Sequence, residues 1–123
     1  MKTKFHENGI VEITDSDFLI KDAGDLDDIF GIFFANNCST IIIKKENISN
    51  DFFELSSGFA GEMLQKFSNY RKRMAIIGNY SAIKSKALKD FIFESNKTKQ
   101  ILFVGSTEEA IKIFEDKKNK IEQ

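Results

Sequence analysis

The chain has 123 residues, of which 41% are hydrophobic and 30% charged, and its formal net charge is −1. This length predicts one domain with a single core and leaves no room for two independent domains. The apolar runs are too short to cross a bilayer, and the charged N-terminus lacks the apolar core of a signal peptide, so we expect a cytoplasmic protein without membrane contact. The single cysteine, Cys38, cannot form an internal disulfide.

The first half of the chain predicts a hairpin, a helix and a strand. Two β-prone runs, 2–6 and 10–14, flank Asn8-Gly9, the residue pair best suited to a two-residue type I′ turn. Apolar residues at helical spacing predict a helix over 25–36, with three aspartates in its positively polarised first turn. The β-branched run over 40–44 predicts a central strand that is buried on both faces.

The second half of the chain alternates helices and strands. We expect a helix from Ser57, a strand over 73–78, a helix over 85–95, a strand over 101–104 and a helix from Ser106. The last helix begins with an S-x-x-E capping box. The charged tail from about residue 117 is expected to fray.

This order of elements predicts the fold class. Two initial strands followed by alternating helices and strands indicate an α/β domain over 1–123. Its mixed sheet should contain about five strands, an N-terminal hairpin plus parallel strands, joined by right-handed crossovers and packed with four helices.

Three loops should lie beyond the carboxyl ends of the parallel strands, where ligands and switches gather in sheets of this kind. Helix N-termini present free backbone N–H groups and a partial positive charge at that edge. The alternative is that each serine there only caps its helix. The hydroxyl and amide side chains of these loops are Ser56, Ser57, Asn79, Tyr80, Ser81, Ser85 and Ser106.

One of these loops contains the stretch ELSSGFAGE, residues 54–62. It does not match the phosphate loop of nucleotide-binding proteins, because no lysine and hydroxyl follow the second glycine. Gly58 and Gly61 are three residues apart, and on a helix they would share one face. We expect them to permit close packing of a neighbouring element, with contact to a ligand as the alternative.

Residues 51–110 closely resemble a bacterial family known as domain of unknown function 4180. The recurring family pattern is DFFDL-x-TG-x-AGE-x-LQKF-x-NYR-x-x-x-AI-x-G-[DN]-[FY]-S, followed by S-K-x-L-x-DFI-x-ESN. The corresponding segments here begin DFFELSSGFAGEMLQKFSNYR and SKALKDFIFESN. The stretch KDAGDLDDIF at 21–30 resembles an earlier QDALDL stretch of the family, so the similarity covers most of the chain.

A looser similarity concerns FELSSGFAGEML, residues 53–64, which is similar to the DSSGLG region of STAS domains, the anti-sigma-factor-antagonist modules. This resemblance implies a STAS-like fold in which Ser57 caps the helix after a central strand. In some STAS domains the serine at this position is phosphorylated, which makes Ser57 a candidate phosphorylation site. Leu55 stands where those domains have an aspartate.

These observations lead to two hypotheses for the function. The first is a small regulatory or binding module, with a protein partner or a homodimer contacting the start of the helix at Ser57. The candidate contact residues are Ser56, Ser57, Gly58, Asn79, Tyr80 and Ser81. The second is a sensor or enzyme for a small anionic ligand at the same edge, with polar contacts from Glu62, Gln65, Asn69, Arg71 and Asn96.

Catalytic and metal chemistry are not favoured, and we expect neither a cofactor nor catalytic residues. His6 is the only histidine and lies on the first strand, away from the serine-bearing edge, which argues against a Ser-His-Asp relay. No cluster of His and Cys suggests zinc. Asp51, Glu54 and Glu62 could cooperate in acid/base chemistry or hold a magnesium ion, but the spacing of Asp51 and Glu54 is also that of a capping box for a one-turn helix.

Charge is distributed unevenly along the chain. Residues 1–62 contain twelve acidic and five basic side chains, and residues 63–105 contain nine basic and two acidic ones. A basic half could contact nucleic acid, but the isoelectric point near 5.9 and the absence of a recognised motif do not favour this. The basic candidates are Lys66, Arg71, Lys72, Arg73, Lys84, Lys86 and Lys89.

Two pairs of adjacent phenylalanines predict an exposed aromatic surface. Phe33-Phe34 and Phe52-Phe53 each lie within one helical turn, where both rings cannot point inward. One ring of each pair should therefore cover a loop or contact a partner, which favours an interaction surface, such as that of a homodimer, over a catalytic cleft.

Overall fold

The computed structural model describes the backbone of residues 1–122 and the side chains up to residue 115. Within these residues no helix combines the length and the apolar character that a membrane span requires. Short 3₁₀ turns over Lys45–Asn47, Asn50–Phe53 and Leu55–Ser57 precede α2. The main elements are β1 (Thr3–His6), β2 (Ile10–Ile13), α1 (Ala23–Asn36), β3 (Thr40–Lys44), α2 (Phe59–Asn69), β4 (Arg73–Ile77), α3 (Lys86–Thr98), β5 (Ile101–Val104) and α4 (Thr107–Glu122).

The five strands form one mixed sheet in the order of the chain, β1-β2-β3-β4-β5. β1 pairs with β2 in antiparallel orientation, and all other neighbours are parallel. The predicted α/β fold, with a hairpin, parallel strands and four helices, is therefore confirmed. The last helix, α4, continues to Glu122 and includes the charged segment from residue 117.

Alternate residues of each strand face the two sides of the sheet, because side chains on a strand have a period of two. Ile41, Ile43 and Phe103 belong to the larger core, which the buried sides of α1 and α2 complete. Ile42 and Leu102 belong to the smaller core on the other side, beneath the first turns of α4. The first three helices thus cover one face, and α4 covers the other.

The N-terminal hairpin differs from the prediction in its length. His6 pairs with Ile10, so the loop contains three residues and not two. Asn8 and Gly9 do have positive φ angles, 66° and 73°, as the sequence predicts. The Gly9 carbonyl accepts hydrogen bonds from the backbone N–H groups of Ser39 and Thr40, and this contact with the start of β3 accounts for the longer loop.

Helix α1 begins two residues earlier than predicted. Asp22 adopts an extended conformation and accepts a hydrogen bond from the Asp25 N–H at 3.1 Å, so Asp22 is the N-cap. Of the three aspartates expected in the first turn, only Asp25 lies there. The prediction began at Asp25 because the apolar residues at helical spacing start at Leu26, whereas Asp22 starts the helix by capping it.

Two other helix starts follow their sequence signals. Ser85 accepts from the Leu88 N–H at 3.2 Å and caps α3. Ser106 accepts from the Glu109 N–H at 3.1 Å, and the Glu109 carboxylate accepts from the Gly105 N–H at 3.3 Å. The S-x-x-E signal of α4 is thus used, although the acid reaches one residue further back than in a standard capping box.

The start of α2 is different from the prediction. Residues Leu55–Ser57 form a separate 3₁₀ turn, and the α-helix begins at Phe59. The capping box expected from Asp51 and Glu54 does not form, because the turn over Asn50–Phe53 has no side-chain cap. These short turns are stabilised by the tertiary contacts of their apolar residues, which local spacing does not show.

Each phenylalanine pair divides between the core and its periphery, as expected. Phe33 is buried, whereas Phe34 is 61% exposed. Phe52 is fully buried against Phe103, and Phe53 is half-buried beside it.

The free edge of β5 is covered by side chains from α3. Asn96 accepts from the Phe103 N–H at 2.7 Å and donates to the Phe103 carbonyl at 3.1 Å. Its side-chain amide therefore forms the two hydrogen bonds that the backbone of a neighbouring strand would form. Ser95 donates to the Ile101 carbonyl at 2.5 Å. A covered edge does not pair with strands of other chains. This structural role accounts for Ser95 and Asn96 of the ESN motif, so neither residue requires a ligand to explain its presence.

Candidate functional site

The carboxyl ends of β3, β4 and β5 lie side by side. Lys44 pairs with Ile77, which in turn pairs with Val104. Residues 45–58, 78–85 and 105–106 therefore leave the sheet from one edge, which we call the strand-end rim. Since α4 lies on the opposite face of the sheet from α2 and α3, Ser106, which precedes α4, lies on the other side of this rim.

Ser57 connects two neighbouring segments of the rim. Its hydroxyl donates to the Asp51 carbonyl at 2.6 Å and accepts from the Phe59 N–H at 3.2 Å. The side chain thus joins the 3₁₀ turn before it to the first turn of α2. Ser56, Ser57 and Gly58 are all exposed, so the connection is made at the surface.

Asn79, Tyr80 and Ser81 follow β4 and have different surroundings. Asn79 accepts from the Ser81 N–H at 3.0 Å, and both residues are exposed. Tyr80 is half-buried, and its hydroxyl donates to the Ile76 carbonyl at 2.7 Å. Burial, with a smaller contribution from the charge of Glu46, raises the pKa of the Tyr80 phenol. Tyr80 thus remains a neutral donor that supports the rim.

Sequence reasoning missed Lys45, which lies directly after β3. Its Nζ lies 5.4 Å from the ring centroid of Phe53 and 5.6 Å from that of Tyr80. A Cβ added to Gly78 would lie 2.9 Å from the Lys45 Cβ, so the lysine stem packs directly on that glycine. A lysine at the end of a buried strand, at the edge where ligands bind, was the available signal.

A groove of about 610 Å³ opens beside Lys45. We call it the Lys45 groove. It contains both charged and apolar side chains from the segment after β3 and from the loop before α1. Its lining residues are Leu19, Lys45, Glu46, Ile48, Ser49, Asn50 and Phe53.

A buried asparagine positions one wall of this groove. The Asn47 amide donates to the carbonyls of Asp15 and Phe18 at 3.0 and 2.7 Å. The Asn47 carbonyl accepts from the Ile20 N–H at 2.7 Å, and the Ile20 carbonyl accepts from the Ser49 N–H at 2.9 Å. These bonds hold the 15–20 loop against the 3₁₀ turn over 45–47 and bring Leu19 to the groove.

The polar residues of the anionic-ligand hypothesis do not converge. Glu62, Gln65 and Asn69 are exposed along α2, and Gln65 donates to Asn69 at 2.7 Å. Arg71 lies at the opposite edge of the sheet, where it lines a separate cavity of about 250 Å³ with Arg73 and others. Asn96 is bonded to β5. A ligand at the rim therefore cannot contact these residues as one set.

The expected close packing of Gly58 and Gly61 is wrong. Gly58 precedes α2 and has φ of 81°, whereas Gly61 lies inside the helix. A Cβ added at either position would meet nothing within 4 Å. Gly58 is thus required by its left-handed backbone, and Gly61 faces open space.

These two glycines give a matched prediction for stability. Gly58→Ala is expected to lower the free energy of unfolding by about 1–2 kcal/mol, because alanine disfavours the left-handed region. Gly61→Ala is expected to raise it by up to about 1 kcal/mol, because alanine has the higher helix propensity. Urea denaturation of both variants measures the difference, and a destabilised Gly61→Ala variant would contradict the open environment of Gly61.

Several basic residues take part in the fold. Lys66 forms an ion pair with Asp27, which connects the basic and acidic halves of the chain. Lys72 donates to the Cys38 carbonyl at 3.0 Å. Arg73 lies over the Phe114 ring at 4.9 Å, and burial lowers the pKa of its guanidinium. These three residues are therefore not a free basic surface.

Among the described residues, His6 does not lie with the serines of the strand-end rim. His6 lies 2.8 Å from Glu12 near the start of β2, at the edge opposite the strand-end rim. Among the side chains described, no three His, Cys, Asp or Glu residues lie close enough to hold a metal ion.

A protein-family model matches most of the chain. The model described as "Domain of unknown function (DUF4180)" matches residues 5–114, which include the whole sheet except the first two residues of β1. No curated protein and no solved structure matches this chain.

Proposed function

The chain belongs to the DUF4180 family, whose function is unknown, and we propose that it is a small regulatory module that binds a protein partner at residues 56–58. The observation that carries this proposal is the environment of Ser57. Its hydroxyl is exposed, yet it joins the Asp51 carbonyl to the Phe59 N–H. A surface segment that is already ordered loses little conformational entropy when a partner binds.

The neighbouring residues support a rigid contact surface. Phe52 and Phe59 are buried on either side of the exposed segment and anchor it to the core. Gly58 leaves the start of α2 uncovered, because it has no side chain. The positive end of the helix dipole therefore lies close to the surface, where it favours acceptor groups of a partner.

Phosphorylation of Ser57 would give this module its regulation. The phosphoester has no hydroxyl proton, so the hydrogen bond to the Asp51 carbonyl would be lost. The added charge would lie next to the N-terminus of α2, where the helix dipole stabilises it. The two forms would then differ in the position of residues 54–57, because the buried Phe52 keeps the preceding turn in the core. The similarity of residues 53–64 to STAS domains supports the same role for Ser57.

Two neighbouring exposed aromatic residues suggest a second contact surface in the same proposal. Phe34 is 61% and Tyr70 is 53% exposed, and their ring centroids are 5.8 Å apart. Together with Gly31 they border a cavity of about 240 Å³ between α1 and α2. A homodimer would cover these rings. We place this homodimer in the cytoplasm of a bacterial cell, because the free thiol of Cys38 is stable in that compartment.

The test uses Ser57→Glu and Ser57→Ala, with Ser85→Ala as the matched control. Ser57 and Ser85 each accept a backbone hydrogen bond at a helix start, and both are exposed. Each alanine variant should lose about 1 kcal/mol of stability, the typical net contribution of one such hydrogen bond.

The readout is quantitative affinity capture from native cells with tagged full-length protein. A partner should be recovered by the unmodified chain and by Ser85→Ala, and lost with Ser57→Glu. Recovery of no partner by the unmodified chain, or equal recovery by all variants, would contradict the proposal.

A further inference from the structure

The Lys45 groove is independent of residues 56–58, and we propose that it binds a small monocarboxylate with an apolar body. Its volume of about 610 Å³ is that of a site for a small molecule. It also lies beyond the carboxyl end of β3, the edge of parallel sheets at which ligands bind.

Lys45 provides a positioned cation for the carboxylate. It forms none of the ion pairs found among the described side chains. The rings of Phe53 and Tyr80 lie near its Nζ and hold the ammonium by cation–π contacts. The lysine stem is half-buried and packs on Gly78, which limits its movement. An ordered ammonium without an acidic partner is suited to a carboxylate.

The other walls of the groove are suited to an apolar body. Leu19 is 40% exposed although it is a large aliphatic residue, and it lines the groove together with Phe53 and Ile48. The contacts of Asn47 hold the loop that carries Leu19, so this apolar wall exists before a ligand binds. An apolar chain or ring between these residues would remove their surfaces from water.

Two polar residues refine the ligand class. Ser49 lines the groove, and its Oγ is buried without a hydrogen-bond partner among the described residues. A second polar atom of the ligand could satisfy this hydroxyl. Glu46 is an exposed carboxylate at the same groove, and its charge disfavours dianions. The site should therefore prefer a monocarboxylate to phosphate.

The experiment is isothermal titration calorimetry of the full chain with octanoate, octanamide and inorganic phosphate. Octanoate should bind saturably at one site per chain. Octanamide, which has the same body without the charge, should bind at least about tenfold more weakly, which corresponds to one interaction of about 1.4 kcal/mol. Phosphate should not bind.

Lys45→Met and Lys44→Met form a matched pair. Lys44 is exposed and, as the adjacent residue in an extended chain, lies on the other face of the sheet. Lys45→Met should weaken octanoate binding about tenfold, for the reason given for octanamide, and Lys44→Met should leave it unchanged. Leu19→Ala, a change at the surface, should also weaken binding, and it provides a test if Lys45→Met does not fold.

Three results would overturn the proposal. They are the absence of saturable octanoate binding, equal affinity for octanoate and octanamide, and unchanged affinity in both Lys45→Met and Leu19→Ala. Binding of octanoate by Ser57→Glu separates this site from the partner surface, because the groove does not include Ser57.

Discussion

Phe52→Ala is expected to lower the free energy of unfolding by about 3–5 kcal/mol, the range for large-to-small changes in a core. Phe52 is fully buried, and its ring lies 5.0 Å from Phe53, 6.1 Å from Phe103 and 6.5 Å from Phe91. The ring therefore joins the segment after β3 to β5 and α3. Its removal leaves a cavity that three separate elements border. Urea denaturation monitored by circular dichroism measures the effect.

Phe93→Ala is the matched control for Phe52→Ala. Phe93 is 62% exposed on α3, and it contacts Lys97 at 4.4 Å from the ring centroid. Its replacement should change the free energy of unfolding by no more than about 0.5 kcal/mol. Similar losses in both variants would show that the buried position of Phe52 does not account for its effect.

Asn47→Asp is expected to lower the free energy of unfolding by about 2–5 kcal/mol at neutral pH, as each buried group left without its partner costs about 1–3 kcal/mol. The Asn47 amide donates to two carbonyl oxygens, of Asp15 and Phe18. An aspartate has nearly the same shape, but its ionised side chain has no donor and repels both oxygens.

The effect of Asn47→Asp should depend on pH in a defined direction. Burial and the two carbonyl oxygens raise the pKa of the introduced carboxyl in the folded state above its unfolded value. The loss of stability is therefore largest above the folded-state pKa and becomes smaller as the pH falls toward the unfolded value of about 3.9. Denaturation of the variant and the unmodified chain at several pH values measures the difference between them.

Asn79→Asp is the control for the same chemical change. Asn79 is exposed and uses its side-chain oxygen as an acceptor, from the Ser81 N–H. Aspartate keeps this acceptor, so the substitution should be close to neutral at every pH tested. A pH-independent loss in Asn47→Asp would contradict the role assigned to the Asn47 donor.

Strands were the most predictable part of the fold. The bounds of β3 and β5 agree with the prediction at every residue, because a run of four or five mostly β-branched or apolar residues is too short for a buried helix and suits a buried strand. Segments stabilised by distant contacts were less predictable. The 3₁₀ turn over Leu55–Ser57 and the three-residue hairpin loop depend on Phe52, Asp51 and the start of β3.

The candidate site was predictable in its position and less so in its composition. The order of elements indicated that the loops after β3, β4 and β5 would share one rim, and the register of the strands places them there. The Lys45 groove could not be foreseen from spacing. Leu19 and Lys45 are far apart in the chain, and they are brought together by the side-chain hydrogen bonds of Asn47 and the backbone hydrogen bonds of Ile20.

Local sequence was thus sufficient for the identity and order of the strands and helices, for the caps at Ser85 and Ser106, and for the family. Hydrophobic period and capping chemistry act over a few residues, so they can be read from one segment at a time. The environment of Ser57, the covering of the β5 edge by Asn96 and the groove at Lys45 depend on contacts between distant segments. Such contacts exist only once the sheet has brought those segments together, and for that reason the tertiary structure alone decides them.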